Sequence, residues 1–267
     1  PYSFSVPVPE YVSQSDNQIF LSLEALDTYG AAFDDLDNHT ATESLSVRVI
    51  EDQAPSITIG QPSDGDTVIE GQYMLVQVNA IDDVLVDRVA LNIAGLKTGD
   101  RSVADMAAPY EFLVSVPYGQ AGRDLALTAS VTERRYAGEP RTISTVDVVN
   151  VHVEADDQAP DLAILQPMAE ETTLVERRNL PFRLEATDNV DVSSITLELM
   201  ADRNLDGAVE DNEVVAQSIL LSPPYTGSMP IQAIVDYVTE NGETPEQLAM
   251  RLKVKATDGV GNATVLE

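Results

Sequence analysis

The stretch "DRNLDGAVEDNE", residues 202–213, carries oxygen-bearing side chains at the spacing of a calcium-binding loop. Asp202, Asn204 and Asp206 occupy alternate positions, a glycine follows, and Glu213 ends the loop. In loops of this kind, side-chain oxygens come from alternate early positions and from the last one, and a backbone carbonyl lies between them. The predicted ligands for Ca²⁺ are Asp202, Asn204, Asp206, Glu213, the carbonyl oxygen of Ala208, and Glu210 directly or through water.

An internal repeat indicates how many units the chain holds. "DQAP" occurs at 52–55 and again at 157–160, and the two copies continue as "DQAPSITIGQP" and "DQAPDLAILQP". A "PY" pair and an acid that closes an alternating strand follow in the same order, and both also occur near the start of the chain. We predict the C-terminal half of a domain at 1–51, a domain at 52–156, and a domain at 157–267 whose last strand is incomplete. We expect preceding residues or a partner chain to complete the half domain, because it would otherwise leave an open sheet edge.

The calcium-type loop is predicted to be an insertion in the third unit. Asp82 and Tyr110 of the second unit are 28 positions apart, whereas the equivalent Asp188 and Tyr225 of the third are 37 apart. The difference is close to the length of the loop. The flanking segments, "SSITLELM" and "EVVAQSILL", are alternating or β-branched. We therefore expect the loop to join two strands of a hairpin, without the helices that flank such loops in calcium sensors.

Most of the chain has the two-residue hydrophobic period of half-buried strands. Examples are "YMLVQVNA" (73–80), "RVALNIAG" (88–95) and "RLKVKATD" (251–258), with turn residues between them. About seven short strands in about 105 residues is typical of an immunoglobulin-like sandwich. The predicted fold class is all-β, with tandem Ig-like β-sandwich domains in a linear array. One helix is expected, "IQAIVDYV" at 231–238, packed on the sheet edge through Ile231, Ile234, Val235 and Val238.

A sandwich of this kind brings several acids together at one end of each unit. The chain enters a unit at the end where the B–C and F–G loops lie, so acids of the linker and of both loops converge there. In the second unit these are Asp52, Asp82, Asp83 and Glu133. In the third they are Asp156, Asp157, Asp188, Asn189 and Asp258, with Asp191 close by.

Clustered carboxylates repel one another unless a cation lies among them. Each pair at about 4 Å costs roughly 1 kcal/mol in water and about 4 kcal/mol at an effective dielectric constant of 20. Oxygen-only ligands favour a hard dication such as Ca²⁺, so calcium is predicted at both clusters. The alternative is that these residues only form turns, because Asp and Asn favour turns. Recurrence of the same set along the chain favours calcium.

The pattern "D-Q-A-P … A-x-D-(D/N) … P-Y … A-x-D-x-x-G-N" resembles the tandem bacterial immunoglobulin-like repeats of large surface proteins and adhesins. It is also similar to cadherin repeats, in which linker, B–C and F–G acids share calcium between domains. The resemblance covers essentially the whole chain. The second unit departs from the pattern, because "TERRYAGEPRT" stands where the third has "TDGVGNAT". Arg134 and Arg135 beside Glu133 make the third unit the better-furnished calcium site.

The charge balance restricts the partners of this chain. It has 15 basic and 45 acidic residues, a net charge of −30. Such a surface disfavours nucleic acids and anionic membranes and favours cations, although acidity also serves solubility or a salty habitat. There is no cysteine and therefore no disulfide. No run of about 18 apolar residues is present, so no membrane span is predicted in this segment.

Catalytic constellations are not recognisable in the sequence, and we expect no enzyme. The two histidines are His39, in an acidic loop, and His152, predicted to be exposed on a strand. The expected function is a Ca²⁺-stiffened stalk segment of a secreted or cell-surface bacterial protein, such as an adhesin or a surface fibre. Its expected partners are calcium, the neighbouring Ig-like domains, and other copies in a fibre or a ligand on a host cell. The alternative is a module that binds a glycan or a protein, accessory to an enzyme elsewhere in the full chain.

Overall fold

The computed structural model describes residues 1–8, 17–28, 39–134, 140–141, 145–168, 173–237 and 245–267. These residues form strands almost throughout, which confirms the predicted all-β class. The first unit contributes β1 (Gln18–Leu26) and β2 (Thr40–Arg48), which pair antiparallel. Both faces of this hairpin are largely exposed, with Phe20 78% exposed. What completes it stays a prediction.

The second unit is a sandwich of two sheets. One sheet has the order β3–β5–β8, and the other has the order β4–β11–β9–β6–β7 with β10 also paired to β9. The strands are β3 (Ser56–Gln61), β4 (Thr67–Ile69), β5 (Tyr73–Ile81), β6 (Val86–Ala94), β7 (Arg101–Asp105), β8 (Tyr110–Ser115), β9 (Asp124–Arg134), β10 (Pro140–Arg141) and β11 (Val146–Glu154).

The third unit repeats this arrangement. Its sheets have the orders β12–β13–β16 and β15–β14–β17–β18, so corresponding strands have corresponding neighbours. The elements are β12 (Asp161–Gln166), β13 (Asn179–Thr187), β14 (Val192–Ala201), β15 (Val214–Leu220), β16 (Thr226–Pro230), α1 (Ile234–Tyr237), β17 (Met250–Asp258) and β18 (Ala263–Leu266).

Each sandwich encloses its own hydrophobic core, built from the inward positions of alternating strands. Leu91 and Leu127 are fully buried in the second unit, and Leu197 and Val254 in the third. A buried aliphatic side chain contributes roughly 1.5–3 kcal/mol. Because the acids lie outside these cores, a change in one of them alters the site without removing the packing that stabilises the sandwich.

Strand register places the loop acids at matching positions in the two sandwiches. Glu133 on β9 lies opposite Val86 on β6, and Asp258 on β17 lies opposite Val192 on β14. A register shift follows each pair, next to Val86 and next to Val192. Such bulges bend a strand and re-aim its side chains. The B–C loop joins β5 to β6 in the second unit and β13 to β14 in the third, and the F–G loop follows β9 and β17. In each unit the acid at the start of the F–G loop therefore lies against the start of the strand that follows the B–C loop.

The predicted helix begins later than expected and presents a different face. Among the described residues of 231–238, Ile234–Tyr237 are helical, and Val238 lies outside the described residues. Val235 is 58% exposed, whereas Tyr237 is buried and its hydroxyl accepts a hydrogen bond from the Gln232 N–H. No helix in the described part of the chain is long and apolar enough to cross a membrane.

Candidate metal sites

The loop at 202–213, called the hairpin loop below, joins β14 to β15, as its flanking sequence predicted. Positive φ angles at Leu205 (61°) and Gly207 (90°) fold the backbone around the side chain of Asp202. Asp202 is 6% exposed. One of its carboxylate oxygens accepts the Asp206 N–H at 3.2 Å, and the other accepts the Gly207 N–H at 3.0 Å.

Glu213 closes the hairpin loop from its far end. Glu213 is 6% exposed, and its carboxylate accepts hydrogen bonds from the backbone N–H groups of Arg203 and Glu210 at 2.8 and 2.9 Å. The hydrogen bond from Glu210 lowers the pKa of Glu213 most, burial opposes it, and the bond from Arg203 lowers the pKa further. The carboxylate is therefore held ionised and directed into the loop.

The remaining predicted ligands lie nearer to solvent. The Asn204 side chain donates to Asp206 at 3.0 Å, and the other Asp206 oxygen accepts the Ala208 N–H at 2.9 Å. The Glu210 side chain is exposed. Each ionised carboxylate has about four acceptor positions, so these backbone bonds leave positions for a cation. The donor set of the hairpin loop therefore fits Ca²⁺.

The second candidate lies at the linker end of the third unit. We call this group the third apex; it comprises Asp156, Asp188, Asn189 and Asp258. Asp188 forms the turn that the alternative interpretation expected: its Oδ2 accepts the N–H groups of Val190 and Asp191 at 2.9 and 3.1 Å. Its Oδ1 is buried and has no hydrogen-bond partner among the described residues. Turn formation therefore accounts for only one of the two oxygens.

Two more acceptor oxygens at the third apex are also buried without a hydrogen bond from a described residue. Asp156 is 5% exposed, and its Oδ1 accepts the Asn189 side-chain N–H at 3.1 Å. Within the part of the chain that the structure describes, Asp156 Oδ2 and Asn189 Oδ1 are buried without a hydrogen-bond partner. Asp157 was predicted to join this group, but it is exposed. The alternation of β11 ends at the linker, where Ala155 is exposed and Asp156 turns inward.

Asp258 organises the F–G loop of the third apex. It is 3% exposed, and its Oδ1 accepts the N–H groups of Val260, Gly261 and Asn262 at 3.0, 2.6 and 2.8 Å. The Asn262 side chain then donates to Asp258 Oδ2 at 2.7 Å and to the carbonyl oxygen of Asp156 at 2.9 Å. Asn262 thus ties the F–G loop to the linker. The "GN" of the repeat pattern was the signal for it, although only its turn role was inferred.

The donor set of the third apex fits a hard cation. Three buried oxygens that can only accept hydrogen bonds face no described donor, and each such group costs about 1–3 kcal/mol. Oxygen ligands without nitrogen or sulfur suit Ca²⁺, and a cation bound among these residues would compensate such oxygens.

The corresponding end of the second unit, the second apex, repeats the turn. Asp82 Oδ2 accepts the N–H groups of Val84 and Leu85 at 3.2 and 2.7 Å, as Asp188 does two and three residues on. Asp82 Oδ1 is likewise buried without a hydrogen bond from any described residue. One oxygen each of Asp52, Asp82 and Asp83 lie within 4.8 Å of one another. This is the compact three-acid group found among the described residues, in the unit that the sequence marked as less well furnished.

Glu133 was predicted to join the second apex, and it does not belong to that three-acid group. It is 1% exposed, on β9 opposite Val86 on one side and Arg141 on the other. Its role as a ligand at this junction stays a prediction.

The histidines are surface residues paired with aspartates. His39 Nδ1 lies 2.7 Å from Asp27 Oδ2 in the first unit, and His152 Nδ1 lies 2.7 Å from Asp124 Oδ1 in the second. His152 is on β11 and exposed, as predicted. Exposed pairs of this kind contribute little to stability.

Contacts across the second and third units were not predicted. The Gln72 side chain donates to the carbonyl oxygen of Asn189 at 3.1 Å. Tyr118 approaches Gly259 in the F–G loop of the third unit. Burial raises the pKa of the Tyr118 phenol, and nearby carboxylates raise it further, those of Asp191, Asp156, Asp258 and Asp188. The only sequence signal was a further "PY" pair, at 117–118.

Comparison with known proteins supports the bacterial Ig-like character of the second unit. Residues 55–132 match the family described as bacterial Ig domain, which confirms the predicted resemblance there. No curated protein matches the chain.

Several solved structures are similar at low identity. The fibronectin(III)-like modules of Clostridium thermocellum CbhA are 16% identical over 79% of this chain and 90% of theirs, with a TM-score of 0.28. A Ca²⁺-stabilized adhesin with which an Antarctic bacterium binds ice is 13% identical over 94% of this chain, with a TM-score of 0.32. The chain spans 55% of that adhesin structure. TM-scores this low do not transfer a function.

Proposed function

We propose that this chain is a structural spacer from a secreted or surface-displayed bacterial protein, in which Ca²⁺ holds successive Ig-like units in a fixed line. The observation that carries the proposal is the third apex. Buried acceptor oxygens of Asp156, Asp188 and Asn189 face no hydrogen-bond donor in the described chain. They lie where the linker enters the third unit, so whatever satisfies them also fixes the linker.

The same logic supports calcium at the second apex. Asp52 belongs to the linker and Asp82 and Asp83 to the B–C loop, so a cation among them would join linker and unit there too. In the hairpin loop an ion would order only the insertion, because all its candidate ligands lie between β14 and β15. Two of the three predicted sites therefore act on junctions.

A spacer also agrees with the charge and with the chemistry of the described residues. A net charge of −30 attracts cations and keeps neighbouring copies apart. The paired acids recur at equivalent positions in two units, which suits a repeated structural role better than a single catalytic centre. We propose accordingly that this segment is not an enzyme and that it lies outside the cell.

Small-angle scattering on this chain in Ca²⁺ and in EDTA tests the proposal. If the junction sites have a dissociation constant of about 10⁻⁴ M, as extracellular calcium modules do, about 10 mM Ca²⁺ shifts each junction roughly a hundredfold towards its ordered form. We expect chelation to shorten the longest dimension and to open residues 50–55 and 154–160 to protease, the second segment more strongly. Equal profiles and equal cleavage in both buffers would refute calcium at the junctions.

A further inference from the structure

The candidate ligands of the third apex do not by themselves connect the third unit to the second sandwich. Asp188, Asn189 and Asp258 belong to the third unit, and Asp156 belongs to the linker that follows β11. An ion there orders the linker at one point. A single point of attachment leaves the second unit free to swing, so a fixed line requires a second point of contact.

Tyr118 supplies such a contact. Its ring reaches from the loop after β8 to the F–G loop of the third unit, where a Cβ added to Gly259 would overlap it. On its other side the ring packs on Gly71 of its own unit. A Cβ built on Gly71 would lie 2.7 Å from Tyr118 Cζ and 2.7 Å from Val190 Cγ1 of the third unit. The ring therefore lies against a glycine of each unit, and Tyr118 as a whole remains 38% exposed.

The glycine at 71 is explained by this contact as well as by its backbone. Gly71 has φ 88°, which favours glycine on its own. Alignment of "TVIEGQ" with "TLVERR" places Arg177 at the equivalent position of the third unit, and Arg177 has φ 62°. A side chain is thus compatible with this turn. At 71 the space taken by Tyr118 and Val190 adds to the restriction from the positive φ.

A buried acid fixes the loop that carries Tyr118. Glu70 is 6% exposed, and its Oε2 accepts the N–H groups of Gln120 and Ala121 at 2.9 and 3.3 Å. Gln120 is 2% exposed and accepts the Lys97 N–H at 2.9 Å. Tyr118 is therefore presented by a preformed loop, so little conformational entropy is lost when it docks.

We infer that Tyr118 is the positioning residue that sets the orientation of the second unit on the third, by docking its ring into the slot formed by Gly71 and Gly259. The inference rests on the proposed spacer function, which it deepens: calcium orders the third apex, and Tyr118 converts that order into a fixed angle between units. The Gln72 hydrogen bond to Asn189 adds a third point of contact.

Distance measurements between spin labels test this role on the whole chain. The chain has no cysteine, so Leu113→Cys and Glu185→Cys, both exposed strand positions in different units, are labelled uniquely. In saturating Ca²⁺ we expect Tyr118→Ala to broaden the distance distribution about twofold, whereas Tyr118→Phe, which keeps the ring, leaves it narrow. A distribution unchanged by Tyr118→Ala, or broadened equally by Tyr118→Phe, overturns the inference.

Gly259→Ala provides the matched test from the other unit. Gly259 is not among the residues with a positive φ, and the three atoms nearest to a Cβ there all belong to Tyr118. We expect Gly259→Ala to broaden the distribution when Tyr118 is present and to add nothing in a Tyr118→Ala background. Independent effects of the two changes would show that the two residues do not share a contact and would refute the slot.

Calcium titration separates this inference from the proposed function. Tyr118→Ala should keep calcium affinity within about twofold, because the ring is not a ligand; a loss beyond tenfold would make Tyr118 part of the ion site and overturn the positioning role. The labels are also compared in EDTA. If the chain binds no Ca²⁺ and Tyr118→Ala still broadens the distribution in EDTA, the role of calcium in the proposed spacer is refuted and the docking role of Tyr118 is supported.

Discussion

The hairpin loop and the third apex use the same ligand chemistry in opposite ways. In the hairpin loop the oxygens of Asp202 and Glu213 accept backbone N–H groups of the loop itself. In the third apex, oxygens of Asp156, Asp188 and Asn189 are buried and face no donor in the described residues. The loop can keep its shape without an ion, because its charges are already solvated by its backbone.

This difference separates two roles for calcium. Where carboxylates already accept hydrogen bonds from their own loop, a bound ion orders that loop and does not change the rest of the sandwich. A site with unsatisfied buried oxygens needs the cation to compensate groups that would otherwise cost about 1–3 kcal/mol each. The third apex should therefore couple calcium to the geometry of the chain, and the hairpin loop should bind calcium without that coupling.

The largest expected effect is loss of the hairpin-loop site in Asp206→Ala. Removal of a central ligand should lower the calcium stoichiometry by one in calorimetry. In EDTA the free energy of unfolding should change by less than about 0.5 kcal/mol, because Asp206 is exposed. Asp211→Ala is the control, since Asp211 pairs with Arg251 and Lys253 on the outside of the loop. Unchanged calcium stoichiometry in Asp206→Ala would show that the hairpin loop is not a calcium site.

The next effect compares two adjacent linker acids. Asp156→Ala should weaken calcium at the third apex about tenfold, or about 1.4 kcal/mol, and Asp157→Ala should change it less than about twofold. The reason is that Asp156 is buried with a free oxygen and Asp157 is exposed. Protease cleavage at 154–160 in a calcium titration measures both. Equal effects would mean that charge alone, and not the buried oxygen, attracts the ion.

A smaller effect is expected at the second apex. Asp83 is exposed, and one of its oxygens accepts the Gln53 N–H at 3.4 Å. Its contribution is weakened by solvent and salt, so Asp83→Ala should reduce calcium affinity about threefold at physiological ionic strength and more at low salt. Calorimetry at two salt concentrations provides the measurement. Salt-independent loss would indicate a directly bound ligand, equal in kind to Asp156.

The smallest effect concerns acid stability of the hairpin loop. The pKa of Glu213 is lowered in the folded chain, so its ionised form contributes stability above the ordinary glutamate value of about 4.3. That contribution is lost as pH falls through the lowered pKa. In EDTA, Glu213→Gln should be less stable than the unaltered chain near neutral pH, and the gap should close in acid. Glu210→Gln should show no such closing gap, and a pH-independent gap for Glu213→Gln would contradict the assignment.

The repeat, the sandwich and the hairpin loop could be predicted because each is encoded locally. A two-residue period fixes the buried face of a strand, and matched spacings revealed that the third unit carries an insertion. The position of Asp258 and Glu133 opposite the start of the strand after the B–C loop follows from the same repeat. The predicted helix was placed too early, because it begins at Ile234 and not at Ile231.

The sequence could not predict the direction of side chains beyond the ends of strands. Asp156 and Asp157 are adjacent and of the same residue type. The alternation of buried and exposed positions breaks after β11, so Asp156 is buried and Asp157 is exposed. Glu133 has the spacing of a junction acid and is buried on β9, and its role as a ligand stays a prediction. Tyr118 could not be found at all, because no pattern in one unit states which surface of the next unit it will meet.

The parallel pairing of β4 with β11 has a mechanical consequence. Thr67, Val68 and Ile69 pair in register with His152, Val153 and Glu154, close to where the chain leaves the second sandwich. When the chain is pulled from its two ends, these neighbouring strands slide past each other, so their hydrogen bonds are loaded in shear and must break together. The second unit should therefore resist tension until the whole patch ruptures at once, and only then release its core.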